Sequence, residues 1–161
     1  MEFSPEAMKQ YEAILKRYPD QRAALLPVLW LGVREFGYIS IEASDYIGKL
    51  MGLSSSQVYS VASFYTMFPK RKIGKHHVQV CKTLSCWMGG APKIVEHLKK
   101  RLAINVGETT PDGEFTLSVV ECLGSCGTAP MMQVDLDYYE NLDSKKVDEI
   151  LERVRSSEYK L

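Results

Sequence analysis

The sequence predicts an α/β protein of the α+β kind. A helical N-terminal subdomain spans residues 1–70, a small α/β domain spans 74–155, and a short tail covers 156–161. Three observations carry this reading. Up to residue 68 the apolar residues recur at helical spacing, and from residue 74 a period of two takes over in valine-rich runs. Between the two lies Lys70-Arg71-Lys72-Ile73-Gly74-Lys75, a polar, basic connector. A chain of 161 residues suffices for one good-sized domain, or a compact domain with a helical extension.

The elements follow in order. Ser4 caps a first helix, with Pro5 at its first position and Glu6 in its first turn. Met8, Tyr11, Ile14, Leu15 and Tyr18 mark one face before Pro19 ends it. Asp20 starts a second helix with Leu25, Leu26, Leu29, Val33 and Phe36 on a stripe, Gly37 beyond its end, and Pro27 inside it as a source of a kink. Ser40 caps a third, bearing Ile41, Tyr46, Ile47 and Leu50 and stopping at Gly52. Ser54 and Gln57 make a capping box for a fourth, with Val58, Val61, Ala62, Tyr65 and Phe68. Such helices with short connections form a small bundle.

In the second part, His76 to Cys81 alternates as a strand, with His77 and Gln79 set against Val78 and Val80. Gly89-Gly90-Ala91-Pro92 opens a helix with Ala91, Ile94, Val95, Leu98 and Leu102 inward and Lys99, Lys100 and Arg101 in its last turns. Phe115 to Glu121 is β-rich after the turn Thr110-Pro111-Asp112-Gly113. Met131–Asp135 and Tyr138–Asn141 form a hairpin around Leu136-Asp137, and Ser144 caps a last helix through Val147, Ile150, Leu151 and Val154. The order strand, helix, strand, strand, strand, helix describes a small α/β sandwich. The tail from Ser156 is expected to fray.

Bulk composition narrows the function. Apolar residues make up 45% and charged residues 25%, as in an ordinary globular protein. Twenty basic residues balance twenty acidic ones, so no global field draws the chain to nucleic acid or anionic lipid. No apolar run approaches the roughly 18 residues of a membrane span, and the first residues lack the pattern of a signal or transit peptide. The expected location is the cytoplasm, where thiols stay reduced and grouped cysteines lean towards metal chemistry.

All four cysteines fall in two segments: Cys81 and Cys86 with four residues between, and Cys122 and Cys126 with three. Cys81 and Cys122 end strands, Cys86 precedes a helix, and Cys126 sits in a glycine-rich loop, so adjacent strand ends can gather four sulfurs. The helix after Cys86 points its positive end at the site, and Gly89, Gly90, Gly124 and Gly127 let backbone amides approach sulfur closely. Spacing alone leaves several centres open. Zinc accepts four thiolates but favours two-residue knuckles. The absence of any C-x-x-C disfavours a thioredoxin dithiol and a cubane run. Plant-type [2Fe–2S] spacing is half matched.

The two cysteine pairs, the segment Cys122-Leu123-Gly124-Ser125-Cys126-Gly127-Thr128-Ala129-Pro130, and the segment Val58-Tyr59-Ser60-Val61-Ala62-Ser63-Phe64-Tyr65-Thr66-Met67-Phe68 together resemble the NuoE-type subunit of NADH:quinone oxidoreductase, respiratory complex I. The resemblance spans essentially the whole chain. It implies a helical N-terminal part followed by a thioredoxin-like [2Fe–2S] ferredoxin domain. It implies that Cys81, Cys86, Cys122 and Cys126 are the ligands of a single [2Fe–2S] cluster. It also implies a flavin-carrying NADH-binding partner (NuoF-type) that holds FMN and NADH, in a complex peripheral to the cytoplasmic side of the inner membrane. In such proteins the cluster exchanges one electron with the flavin and lies near it but off the main path. The same module serves NAD-linked hydrogenases and formate dehydrogenases. No residue reads as a catalytic acid, base or nucleophile, and no G-x-G-x-x-G follows a strand. A zinc-stabilised interaction module is the alternative of a different class.

Several other features have ordinary readings. Residues 40–68 have a helix–Gly–helix pattern, but 54–68 contains no Lys or Arg, which argues against a DNA reader. Phe64, Tyr65, Met67 and Phe68 fit core packing first and a partner interface second. His76 and His77 read as an ordinary strand start. Trp87 and Met88 either shield the site or pack in the core. At Ala129-Pro130 the sequence leaves both isomers open, cis as in other thioredoxin-like folds and trans as the commoner one.

Overall fold

The structure, a computed structural model, describes residues 1–156. Of the expected frayed tail, residues 157–161 lie outside those described. The chain divides into two compact units, Met1–Lys72 and from Ile73 onward.

The first unit is helical: α1 (Pro5–Leu15), α2 (Leu25–Phe36), α3 (Ile41–Met51) and α4 (Ser55–Phe64), with a 3₁₀ turn at Arg22–Ala24 before α2. The caps follow the local chemistry. Ser4 and Ser40 accept hydrogen bonds from Ala7 N–H and Ala43 N–H, each at 3.1 Å. Ser54 and Gln57 form the expected reciprocal box. Gly37 and Gly52 end α2 and α3 in the left-handed region, at φ 79° and 63°.

Three expectations change here. Asp20 caps only the 3₁₀ turn, through Ala23 N–H at 2.9 Å. The helix proper starts at Leu25, so Pro27 falls in its first turn, where a missing N–H costs nothing and no kink follows. Ile41 and Leu26, placed on inward stripes, are exposed, while Leu25 and Ala43 in the same first turns are buried. The fourth helix stops at Phe64, and Phe68 reaches the core from the following loop.

The core of this unit is built on Ala7, Val28, Leu29, Leu31, Ile39, Ile47, Val58, Ala62 and Phe68. An aromatic group locks α1 onto its neighbours. Phe3 stacks on Phe36 and meets Tyr46 edge-on, both at 5.3 Å between centroids. The Tyr11 hydroxyl donates to Leu50 O at 2.9 Å.

The second unit is a four-stranded sheet with helices: β1 (His76–Cys81), α5 (Leu84–Met88), α6 (Ala91–Leu102), β2 (Phe115–Val120), β3 (Met132–Val134), β4 (Asp137–Tyr139) and α7 (Ser144–Arg155). The strand order is β2-β1-β3-β4. The β1–β2 pair is parallel, running from His76 opposite Phe115 to Cys81 opposite Val120, and the other pairs are antiparallel.

Ile94, Leu98 and Leu102 of α6 and Val147, Ile150, Leu151 and Val154 of α7 pack with Val78, Val80, Phe115, Leu117 and Met132 into one core. Polar contacts also join the two helices: His97 Nε2 lies 2.9 Å and Arg101 Nε 3.3 Å from Asp148 Oδ1. As a central strand β1 is covered on both faces, so the expected alternation is blurred and Gln79 is buried.

His76 is more than an ordinary strand start. It is fully buried, with Nδ1 2.8 Å from Asp135 Oδ2, while Asp135 Oδ1 accepts from His77 N–H at 2.8 Å. Asp135 thereby ties the β3–β4 turn to β1, and at φ 58° it moves the turn one residue ahead of the expected Leu136-Asp137. The last helix is capped by Asp143, one residue before the expected Ser144, through Lys146 N–H at 2.8 Å. The Ala129–Pro130 bond is cis. The tertiary amide leaves less than about 1 kcal/mol between the isomers, and packing decides.

Replacing Ser54 by Ala removes the half of the capping box in which its hydroxyl accepts from Gln57 N–H and leaves the bond from its own N–H to the Gln57 side chain. It is expected to cost the helical unit about 1 kcal/mol, read as a lower urea midpoint in far-ultraviolet circular dichroism.

Candidate metal centre

The parallel pairing of β1 and β2 builds the site. Because Cys81 stands opposite Val120, the chain leaves both strands at the same end of the sheet, and Cys122 follows two residues later. The start of β3 arrives there as well, where Cys81 N–H donates to Met131 O at 3.3 Å. Lys82 N–H donates to Val120 O at 3.0 Å, and Lys82 Nζ pairs with Glu121 at 2.8 Å, fastening the two exits.

Cys86 differs from its expected place before a helix: it lies inside the short α5. That helix rests directly on the loop entering β3. A Cβ on Gly89 would come within 3.1 Å of Pro130 N and Ser85 O and 3.2 Å of Ala129 C, all of them backbone atoms. The loop carrying Cys122 and Cys126 is held from β4 and beyond. The Tyr138 hydroxyl donates to Leu123 O at 2.9 Å, Ser125 Oγ donates to the Glu140 carboxylate, and Asn141 N–H donates to Thr128 O at 2.7 Å.

All four cysteines are free thiols gathered at this end of the sheet, two buried (Cys81 and Cys86) and two exposed (Cys122 and Cys126). They stand as two pairs. Cys122 Sγ and Cys126 Sγ are 3.8 Å apart, and the buried Cys81 and Cys86 thiols influence each other's ionisation. Two sulfurs tetrahedrally bound to one metal at about 2.3 Å lie about 3.8 Å apart, so the measured pair already has the spacing for one metal. Two such pairs at one end of the sheet supply the four thiolates that a centre with one metal atom per pair needs.

Each pair is electrostatically uneven. Burial pushes the Cys81 thiol up, but hydrogen bonds from the Thr83 hydroxyl, the Thr83 and Leu123 backbone and Cys86 bring it below the usual thiol value. Burial, then the bond and repulsion from Cys81, raise Cys86 despite the Met131 backbone N–H. The Gly124 N–H, 3.4 Å from Cys122 Sγ, leads the causes that lower Cys122, followed by Thr83 and Cys126. The bond and charge of Cys122 raise Cys126, against a bond from Ser85. Each pair thus divides into a thiolate-prone member and a proton-holding one.

The donors differ from those expected. The N-terminus of α6 begins at Ala91, beyond α5, and the amides on sulfur come from the loops: Thr83, Leu123, Gly124 and Met131. Of the four glycines expected to bring amides to sulfur, Gly124 does so. The Gly89 and Gly90 amides are used by Ser85 O and Trp87 O of α5. Thr83 and Ser85, two hydroxyl residues between Cys81 and Cys86, are contacts that spacing arguments passed over; their position inside the cysteine segment was the available signal. Trp87 and Met88 do not pack in the core. They are 61% and 74% exposed and, with Leu84, form an apolar rim beside the site.

A reduced, four-thiol centre on the open end of a mixed sheet defines a metal-binding, redox class of protein. Comparison with known proteins agrees. A family model described as thioredoxin-like [2Fe–2S] ferredoxin matches residues 11–155. The chain is 43% identical over 150 residues to the second E-type NADH-quinone oxidoreductase subunit of Rhizobium meliloti, covering 93% of this chain and 89% of that one. It is 41% identical to the E-type NADH-quinone oxidoreductase subunit of Rickettsia prowazekii, covering 94% and 87%. To the mitochondrial NADH dehydrogenase [ubiquinone] flavoprotein 2 of Dictyostelium discoideum it is 43% identical, covering 97% and 64%. Among solved structures it is similar to the NAD+-reducing [NiFe]-hydrogenase in the H2-reduced state, with a TM-score of 0.71 at 19% identity, a likeness of fold. There it covers 84% of this chain and 22% of the hydrogenase chain. The chain belongs to the thioredoxin-like [2Fe–2S] ferredoxin family.

Replacing Gly89 by Ala forces α5 away from the Pro130 loop. It is expected to cost about 1–3 kcal/mol and to lower iron retained after purification, checked by thermal unfolding and metal analysis.

Proposed function

We propose that this chain is the electron-transfer subunit of an NADH:quinone oxidoreductase. Cys81 and Cys86 hold one iron of a single [2Fe–2S] cluster, and Cys122 and Cys126 hold the other. The observation that carries the reading is the two-plus-two arrangement of thiols, with 3.8 Å between Cys122 and Cys126. When bound, the cluster supplies one-electron chemistry: it takes up and releases single electrons with no bond made or broken.

The protein's own residues set the conditions. A cluster with four thiolates carries roughly two negative charges oxidised and three reduced. The loop amides and hydroxyls on sulfur therefore stabilise the reduced form, and burial of Cys81 and Cys86 opposes it. Hydride removal from NADH belongs to a flavin on a partner. That partner is a flavin-carrying NADH-binding subunit of the NuoF type, in a complex peripheral to the cytoplasmic side of the inner membrane. No helix among the described residues is long and apolar enough to cross a membrane.

The division of labour we infer assigns residues 74–155 to the cluster and 1–70 to the partner. Support for the second half comes from the aromatic segment after α4. Phe68 is fully buried, but Phe64 is 79% exposed, with Tyr65 and Met67 also at the surface. An apolar groove of about 480 Å³ lies beside them, lined by Arg22, Leu25, Leu26, Val61, Phe64 and Tyr65. Exposed aromatics and Met are the composition of interface cores. A hydrogenase host is less well supported, since that likeness is at 19% identity against 43% for an oxidoreductase subunit.

Purified protein is expected to be red-brown with equal amounts of iron and sulfide. The Cys122→Ser variant should lose or strongly alter the visible spectrum while the helical unit stays folded; a colourless protein with one zinc would overturn the cluster. Phe64→Glu should weaken capture of the flavin-bearing partner by at least about tenfold with the cluster spectrum unchanged, measured by co-purification and titration.

A further inference from the structure

We propose that the Thr83 hydroxyl is a potential-setting donor to the centre, acting on the buried Cys81. The inference rests on the proposed ligand set. Thr83 occupies the N-cap position of α5 with the extended backbone typical of a cap, φ −76° and ψ 169°. A threonine there ordinarily turns its oxygen onto an amide of the first turn. Here the side chain makes no capping bond. It faces the Cys81 sulfur, with Oγ1 3.1 Å from Cys81 Sγ. The hydroxyl is thus turned to sulfur and gives up a cap to do so.

The chemistry fixes the direction of the bond. A thiolate bound to metal only accepts, so the single hydroxyl proton must point at sulfur. Such a bond strengthens as charge builds on the centre, and it favours the reduced state over the oxidised one. Cys81 is 2% exposed, where low local dielectric makes a hydrogen bond count for more than at the surface. The remaining sulfurs have other donors: Ser85 for Cys126, and the Met131 amide for Cys86. Thr83 is the side-chain hydroxyl at hydrogen-bond distance from Cys81.

The test is a redox titration of the full chain carrying Thr83→Val, Thr83→Ala and Thr83→Ser. The two hydroxyl-free variants are expected to keep iron content and the visible spectrum but to lower the equilibrium constant for one-electron reduction about tenfold, or about 59 mV. Thr83→Ser should stay within about twofold of the parent. In the reduced protein moved to heavy water, pulsed paramagnetic resonance should show an exchangeable deuteron coupling that Thr83→Val lacks. Potentials of Val and Ala variants within twofold of the parent would overturn the inference, as would a Ser variant that falls as far as they do. Failure of both hydroxyl-free variants to retain the cluster also overturns it, since Thr83 would then hold the loop together. A parent protein without iron and sulfide rejects the ligand set itself, before any variant is compared.

Discussion

The parallel pairing of β1 with β2 is the constraint on which the rest of this protein depends. Antiparallel strands would send their exits to opposite ends of the sheet. Parallel strands need a long crossover, here α5 and α6, and in return they leave on the same side. With Cys81 opposite Val120, that geometry carries two sequence-distant cysteine segments to one edge. The antiparallel β3 then enters at that edge, so Met131 and the Ala129–Pro130 loop close the site from a third direction.

A site made this way has a closed half and an open half. Cys81 and Cys86 sit in the core, among the apolar residues that α6 and β3 bring to the sheet. Cys122 and Cys126 sit on a loop at the surface, held by Tyr138, Glu140 and Asn141 from the far side of the hairpin. The buried half limits solvent and the open half leaves an approach for exchange. The same division appears in the donors: each pair has one thiol favoured as thiolate and one that holds its proton. Incoming metal must displace those protons, which couples loading to pH.

Two groups of exposed apolar side chains are close in sequence: Phe64, Tyr65 and Met67 in the helical unit, and Leu84, Trp87 and Met88 beside the thiols in the sheet unit. Net charge is zero, so neither patch is offset by strong self-repulsion between copies. Such a surface suits a protein that spends its life covered by partners.

Much of this was legible in the sequence because the signals are local. The Ser4 and Ser40 caps, the Ser54–Gln57 box, the glycines after α2 and α3, and the periodicity of α6 and α7 act over four residues or fewer and appear where the residues predict them, while the cap of α7 moves from Ser144 to Asp143. Grouping of the cysteines two and two was equally plain, and the segments around them carried the family resemblance. What local pattern could not decide depends on contacts between distant residues. Pro27 is harmless because the helix starts late, and Gln79 and His76 are buried because β1 is central. Which atoms donate to sulfur was decided last. The amides of Gly89 and Gly90 are taken by their own helix, leaving Thr83, Leu123, Gly124 and Met131 to serve the site. Sequence alone determined that the four thiols come as two pairs that leave strand ends. Only the tertiary structure decided what each sulfur touches, because those neighbours meet through strand register and loop closure across tens of residues.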